Sequence, residues 1–241
     1  MTNTATVSRG AWLRMPAGLF ALLAAALGSA APAAAASAVG DTYVYQLVNG
    51  YNKELLGKLH YQVDRVEADR ITVSVTPDNA EAGWAHTATF TKEGNWMRNL
   101  IESHGVPEAY EFATAYPAYV FPLDPGKSWS VRVNATVAGT YTPSRSVRVD
   151  GQVLGNERIR VPAGEFDAIK VKRIVYAGDT YFSRLETRVT EFDWYVPALG
   201  RPVRTERKSQ WNDLSQCGRM GCEFRGSWNV LELIETRAVS R

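Results

Sequence analysis

From Asp41 onward, apolar side chains recur at every second position, the period of a strand that shows a different face to each side. Trp129, Val131, Val133, Ala135 and Val137 alternate with Ser128, Ser130, Arg132, Asn134 and Thr136, so one face is oily and the other wet. The same alternation runs through Leu59, Tyr61 and Val63, through Ile71, Val73 and Val75, and through Val147, Val149 and Val153. Turn signals separate the runs at Lys92-Glu93-Gly94-Asn95, Gly139 to Pro143 and Leu199-Gly200-Arg201-Pro202. Short connections place consecutive strands side by side as a meander. The predicted fold class is all-β: a curved antiparallel sheet of about ten to twelve strands, an open or half barrel.

One segment departs from the pattern. In HGVPEAYEFATAYPAYVFPLDPGKSW, Pro107 suits the first turn of a helix, where its missing N–H costs nothing. Glu108 suits the positive end of the helix dipole, and Pro117 ends the run. The segment therefore predicts one short helix or loop crossing the sheet. RIRVPAGEFDAIKVKRIV contains a Pro and a Gly two residues apart. A phosphate-binding loop would need more glycines and a following helix, so Pro162-Ala163-Gly164 reads as a three-residue hairpin loop. The change of apolar parity between Phe166 and Ile169 predicts a bulge there. Val203–Trp211 and Phe224–Ile234 read as a long hairpin flanking the string CGRMGC.

The first 38 residues have the layout of a secretory signal peptide: Arg9 and Arg14, then an apolar run, then small residues ending Ala36-Ser37-Ala38. Cleavage is expected after Ala38. That leaves a single β domain, 39–241, periplasmic or secreted, with no transmembrane segment. Without the leader, the whole-chain count of 27 basic and 25 acidic residues becomes balanced. The missing basic excess argues against a nucleic-acid partner. In an oxidising compartment Cys217 and Cys222 read as a disulfide. His60, His86 and His104 lie far upstream of them, which disfavours a zinc site.

Little in the chain points to catalysis. The histidines are scattered, and there is no nucleophile-elbow or metalloprotease motif. His86, in phase with Trp84, Ala88 and Phe90, reads as a core or rim histidine. Glu186 and Glu191 sit among Arg184, Arg188 and Thr190 and read as a solvated strand face. The reading leans toward a non-enzymatic protein, with an enzyme as its third alternative, and expects no cofactor or metal. The aromatic residues are the richer resource, and Tyr110, Phe112, Tyr116, Trp129 and Trp194 are the candidate ligand-binding side chains.

Three strings carry a family resemblance: Phe121-Pro122-Leu123-Asp124-Pro125-Gly126-Lys127-Ser128-Trp129, Val161-Pro162-Ala163-Gly164-Glu165-Phe166, and Trp194-Tyr195-Val196-Pro197-Ala198-Leu199-Gly200-Arg201-Pro202-Val203. Together they resemble a family of exported bacterial β-proteins of unknown function, related to the half-barrel carriers of LolA and LolB type. The resemblance implies a concave apolar face that binds an acyl chain or another apolar ligand, and no catalytic residues. The alternative is an envelope assembly or surface-interaction protein with no ligand cavity. Its charged outer face, with Arg201, Arg204, Glu206, Arg207 and Lys208, would meet a protein or polysaccharide partner.

Overall fold

A computed structural model of the chain describes residue 1 and residues 37–140, 143–178, 183–215, 217 and 221–239. The expected leader, 1–38, lies outside the described residues except for positions 1, 37 and 38. The described chain forms twelve strands: β1 (Thr42–Asn49), β2 (Leu55–Val66), β3 (Ile71–Pro77), β4 (His86–Phe90), β5 (Trp96–Ser103), β6 (Val106–Tyr116), β7 (Ser128–Val137), β8 (Ser144–Val161), β9 (Gly164–Ala177), β10 (Thr187–Val196), β11 (Arg201–Asp213) and β12 (Cys222–Arg237). Every neighbour is antiparallel and consecutive in sequence, and β1 pairs with β12, so the meander closes into a barrel.

Closure corrects the open or half barrel expected from sequence. Thr42–Asn49 pairs with Asn229–Arg237, a contact between the two ends of the domain that no local pattern encodes. Closure also leaves no free sheet edge. In a meander of this kind the connections alternate between the two barrel ends. The 117–127 crossing and the Pro197–Leu199 3₁₀ turn lie at one end, together with the start of β1. The β5–β6, β9–β10 and β11–β12 connections lie at the other.

The expected helix is also corrected. Residues 107–116 belong to β6, where Tyr110 and Phe112 are buried and Glu111 and Ala113 are exposed. Aromatic residues gain little from a helix, and hydrogen bonding to β5 on one side and β7 on the other outweighs the two prolines. Pro107 sits at the second position of the strand, where its missing donor is tolerated. The crossing itself is a loop, 117–127, whose own Ala118 and Tyr119 are buried.

The hairpin at the VPAG string is tighter than expected. Val161 pairs directly with Gly164, leaving Pro162-Ala163 as a two-residue turn, with Gly164 at φ 137°. The bulge lies on the opposite strand, between Val153 and Gly155. There Leu154 is the extra residue and is 44% exposed. The β11–β12 hairpin forms around the cysteines as read, and Cys217 and Cys222 are bonded at its tip.

The barrel is flattened. β5 lies close to β9 and β10 across the interior, and β12 lies close to β8. Inward side chains form two apolar clusters, one around Tyr110, Tyr116, Val149 and Val171, the other around Val63, Ala88, Val203 and Leu233. Outward positions are polar along most strands, as on β7, where Ser130, Arg132 and Asn134 are exposed. A lipid-facing band would need the reverse, since an Arg at the bilayer midplane costs about 2–4 kcal/mol.

Candidate functional site

The structure buries four of the five candidate aromatics in the core and leaves Trp129 half-buried at its edge. Tyr110, Phe112 and Tyr116 from β6 join Trp96, which stacks on Tyr116 at a centroid distance of 4.5 Å. Trp129 packs against the same cluster and donates its indole N–H to the Pro117 carbonyl at 3.2 Å. Its ring lies across Gly151 on the neighbouring strand, where a Cβ would collide with it. Trp194 belongs to the second cluster, with the Lys170 ammonium 4.5 Å from its ring centre. The first four thus come together and Trp194 stands apart.

Between the clusters, the interior holds a group of charges that sequence reading missed. Arg173 on β9 is fully buried. Its guanidinium donates to Glu191 (3.0 Å), to Asp193 (2.6 Å) and to the Ala118 carbonyl (3.1 Å). Asp193 also accepts from the Tyr119 hydroxyl (2.6 Å) and the Thr205 hydroxyl (2.7 Å), while Arg207 lies 3.2 Å from the far oxygen of Glu191. Two cations meet two carboxylates, Arg207 reaching the buried trio from a partly exposed position. Burial raises the Asp193 carboxyl, but Arg173 and the two hydroxyls outweigh it and leave the group below its ordinary value. Burial and the neighbouring Asp193 carboxylate hold the Tyr119 phenol well above its own. The network ties the crossing segment to β9 and β10.

Glu191 therefore corrects the expectation of a solvated face: it points inward and is 4% exposed. The signal was present in the sequence. Arg173 is in phase with Val171 and Val175, and Glu191 and Asp193 are in phase with Val189, so the alternation itself puts these charges on the oily face. His86 sits at the start of β4, its Nδ1 3.0 Å from the Trp84 carbonyl. Burial, the largest influence, lowers its pKa. Trp84 lies in the preceding loop and is 60% exposed, outside the oily face it was assigned to.

The β5–β6 hairpin tip closes the other end. Glu102 accepts from the hydroxyls of Ser209 and Ser227 and from the Ser227 backbone N–H. His104 and Gly105 both have positive φ, 49° and 82°, the geometry of a two-residue type I′ turn. His104 holds this conformation with its backbone N–H on Thr187 Oγ1 (2.8 Å) and its Nε2 2.8 Å from the Leu185 carbonyl.

Two open depressions lie on the outer wall of the barrel. A groove of about 380 Å³ runs over the wall of β8–β12, lined by Arg148, Tyr176, Arg188, Gln210, Trp211 and Glu223 among others. The Arg148 guanidinium stacks 3.9 Å above the centre of the Tyr176 ring, and Trp211 stacks on Phe224 with centroids 5.8 Å apart. Gln210 donates to Glu223 at 2.7 Å. A second open depression of about 420 Å³ on β7–β9 is lined by Trp129, Asp150, Gln152 and Lys172 among others. Flat aromatic faces beside amides, guanidinia and carboxylates can stack on sugar rings and hydrogen-bond their hydroxyls.

No family model and no curated protein matches the chain. Among solved structures it is similar to a "putative lipoprotein" from Parabacteroides distasonis, with 16% identity and a TM-score of 0.51 over 84% of this chain and 97% of that one. It is also similar to a "putative exported protein with YmcC-like fold" from Bacteroides fragilis (14% identity, TM-score 0.49, 84% and 97%). A further likeness is to the "hypothetical lipoprotein YmcC" from Escherichia coli (10%, 0.44, 83% and 86%). At these identities the first likeness establishes a shared fold.

Proposed function

We propose that the chain is an exported protein of the bacterial cell envelope, periplasmic or secreted, that binds a polysaccharide on the outer wall of its barrel and catalyses no reaction. Export rests on the leader-like residues 1–38 and agrees with the description of the Parabacteroides protein of similar fold as a "putative lipoprotein". The observation that carries the binding site is the distribution of space. The crossing segment and the Arg173 network occupy the interior, while the aromatic and polar groove opens on the outside.

A polysaccharide fits this groove better than a peptide. Peptides commonly dock by adding a strand to a free edge, and the closed barrel offers none. The acyl-chain reading, with its kinship to LolA- and LolB-type carriers, needs room among Tyr110, Phe112 and Tyr116, which are packed side chain to side chain. Affinity electrophoresis of the purified protein through gels containing envelope polysaccharide tests the proposal. Retardation that disappears on Tyr176→Ala supports it, and equal retardation of the variant refutes it.

A further inference from the structure

The strand registers place six outward residues in one continuous row. Arg132 pairs with Arg148, Arg148 with Tyr176, Tyr176 with Arg188, Arg188 with Gln210, and Gln210 with Arg225. Each step crosses one strand, so Arg148, Arg188 and Arg225 recur at roughly 10 Å, twice the spacing between neighbouring strands. For Arg148, Tyr176, Arg188 and Gln210 the outward direction follows from alternation, since Val147, Val149, Val175, Val189 and Ser209 beside them are buried, and Arg132 and Arg225 are themselves exposed.

The charges along this row are unevenly satisfied. Arg148 has Asp150 at 3.4 Å and rests on Tyr176, and Arg132 donates to the Ser146 hydroxyl at 3.3 Å. Arg188 and Arg225 are exposed and engage no carboxylate among the described residues. The groove also carries two carboxylates, Glu223, which accepts from the neutral Gln210 amide and keeps its charge, and Glu186 on the loop that precedes β10; neither forms an ion pair with Arg188 or Arg225 among the described residues.

An exposed guanidinium is a rigid fork of donors matched to a carboxylate. Two such forks, Arg188 and Arg225, stand at this interval with Gln210 between them, and Arg148, already bridged to Asp150, follows beyond Tyr176, so the row is a ladder rather than a single pocket. We infer that the groove is selective for an acidic polysaccharide, a linear polymer whose uronic-acid carboxylates recur along the chain and meet Arg188 and Arg225 in turn. This deepens the polysaccharide reading above and rests on it. Tyr176 supplies the stacking face common to any sugar, and the arginines supply the preference for acid.

The test is isothermal titration of the mature protein with polygalacturonate, alginate and hyaluronate, each against its methyl-esterified form. Esterification removes the charge and keeps the sugar backbone. The acidic polymers are expected to bind at least about tenfold more tightly than their esters, the range of one charge-assisted hydrogen-bonded pair, and to weaken with added salt. Arg188→Gln with Arg225→Gln removes that preference while the esters bind as before. Both positions are exposed, so the fold is unaffected, and a matching circular-dichroism spectrum checks it. Equal affinity for acid and ester overturns the acidic preference and leaves the polysaccharide reading standing. No binding of any polymer in either form overturns both.

Discussion

Arg173→Met is the sharpest perturbation of the interior. The substitution keeps most of the aliphatic length and removes the guanidinium that serves Glu191, Asp193 and the Ala118 carbonyl. Arg207 remains on Glu191 at 3.2 Å, so the stranded charge is mainly Asp193, left with two hydroxyl donors. Removing one partner of a buried pair costs about 3–5 kcal/mol. For a domain of this size each kcal/mol lowers the midpoint by about 2–4 °C, giving a fall of about 6–20 °C. Urea unfolding followed by tryptophan fluorescence measures the free energy, and thermal circular dichroism measures the midpoint. Adding Asp193→Asn to Arg173→Met removes the stranded charge and brings most of the loss back. If Arg173→Met alone costs less than about 1 kcal/mol, the value of an exposed pair, water reaches the network and the packed interior is refuted.

Other consequences follow from the same geometry. Asp193 titrates below its ordinary value in the folded state, so the stability it contributes is fully present above roughly pH 4 and is lost as pH falls through the folded value. An acid titration by circular dichroism checks this, with Asp193→Asn flattening that part of the curve. Replacing Cys217 and Cys222 with Ser opens the six-residue loop and costs about 2 kcal/mol on chain-entropy grounds, read from urea midpoints. Gly151→Val drives a side chain into the Trp129 indole, an overpacking worth about 1–3 kcal/mol. A shift in tryptophan emission accompanies it.

The strands were legible because burial imposes a period of two on most of them, and β7 and the β11–β12 hairpin fall where the sequence pattern puts them. Barrel closure was not legible, because the pairing of Thr42–Asn49 with Asn229–Arg237 joins segments separated by most of the domain. The helix expectation over 107–116 failed for a related reason: Pro107 and Glu108 are local signals, and pairing to β5 and β7 outweighs them. The buried network could have been read, since Arg173, Glu191 and Asp193 share parity with valines. The arginine row could not, because Arg148, Arg188 and Arg225 become neighbours only through the registers of four successive strand pairs.

The account places binding on the outside of a filled barrel, and solvent extraction of the purified protein with quantitative lipid mass spectrometry tests that placement most directly. It predicts no stoichiometric acyl chain, and no saturable uptake of a fluorescent fatty acid added afterwards. One acyl chain per protein molecule, retained through purification, would contradict it.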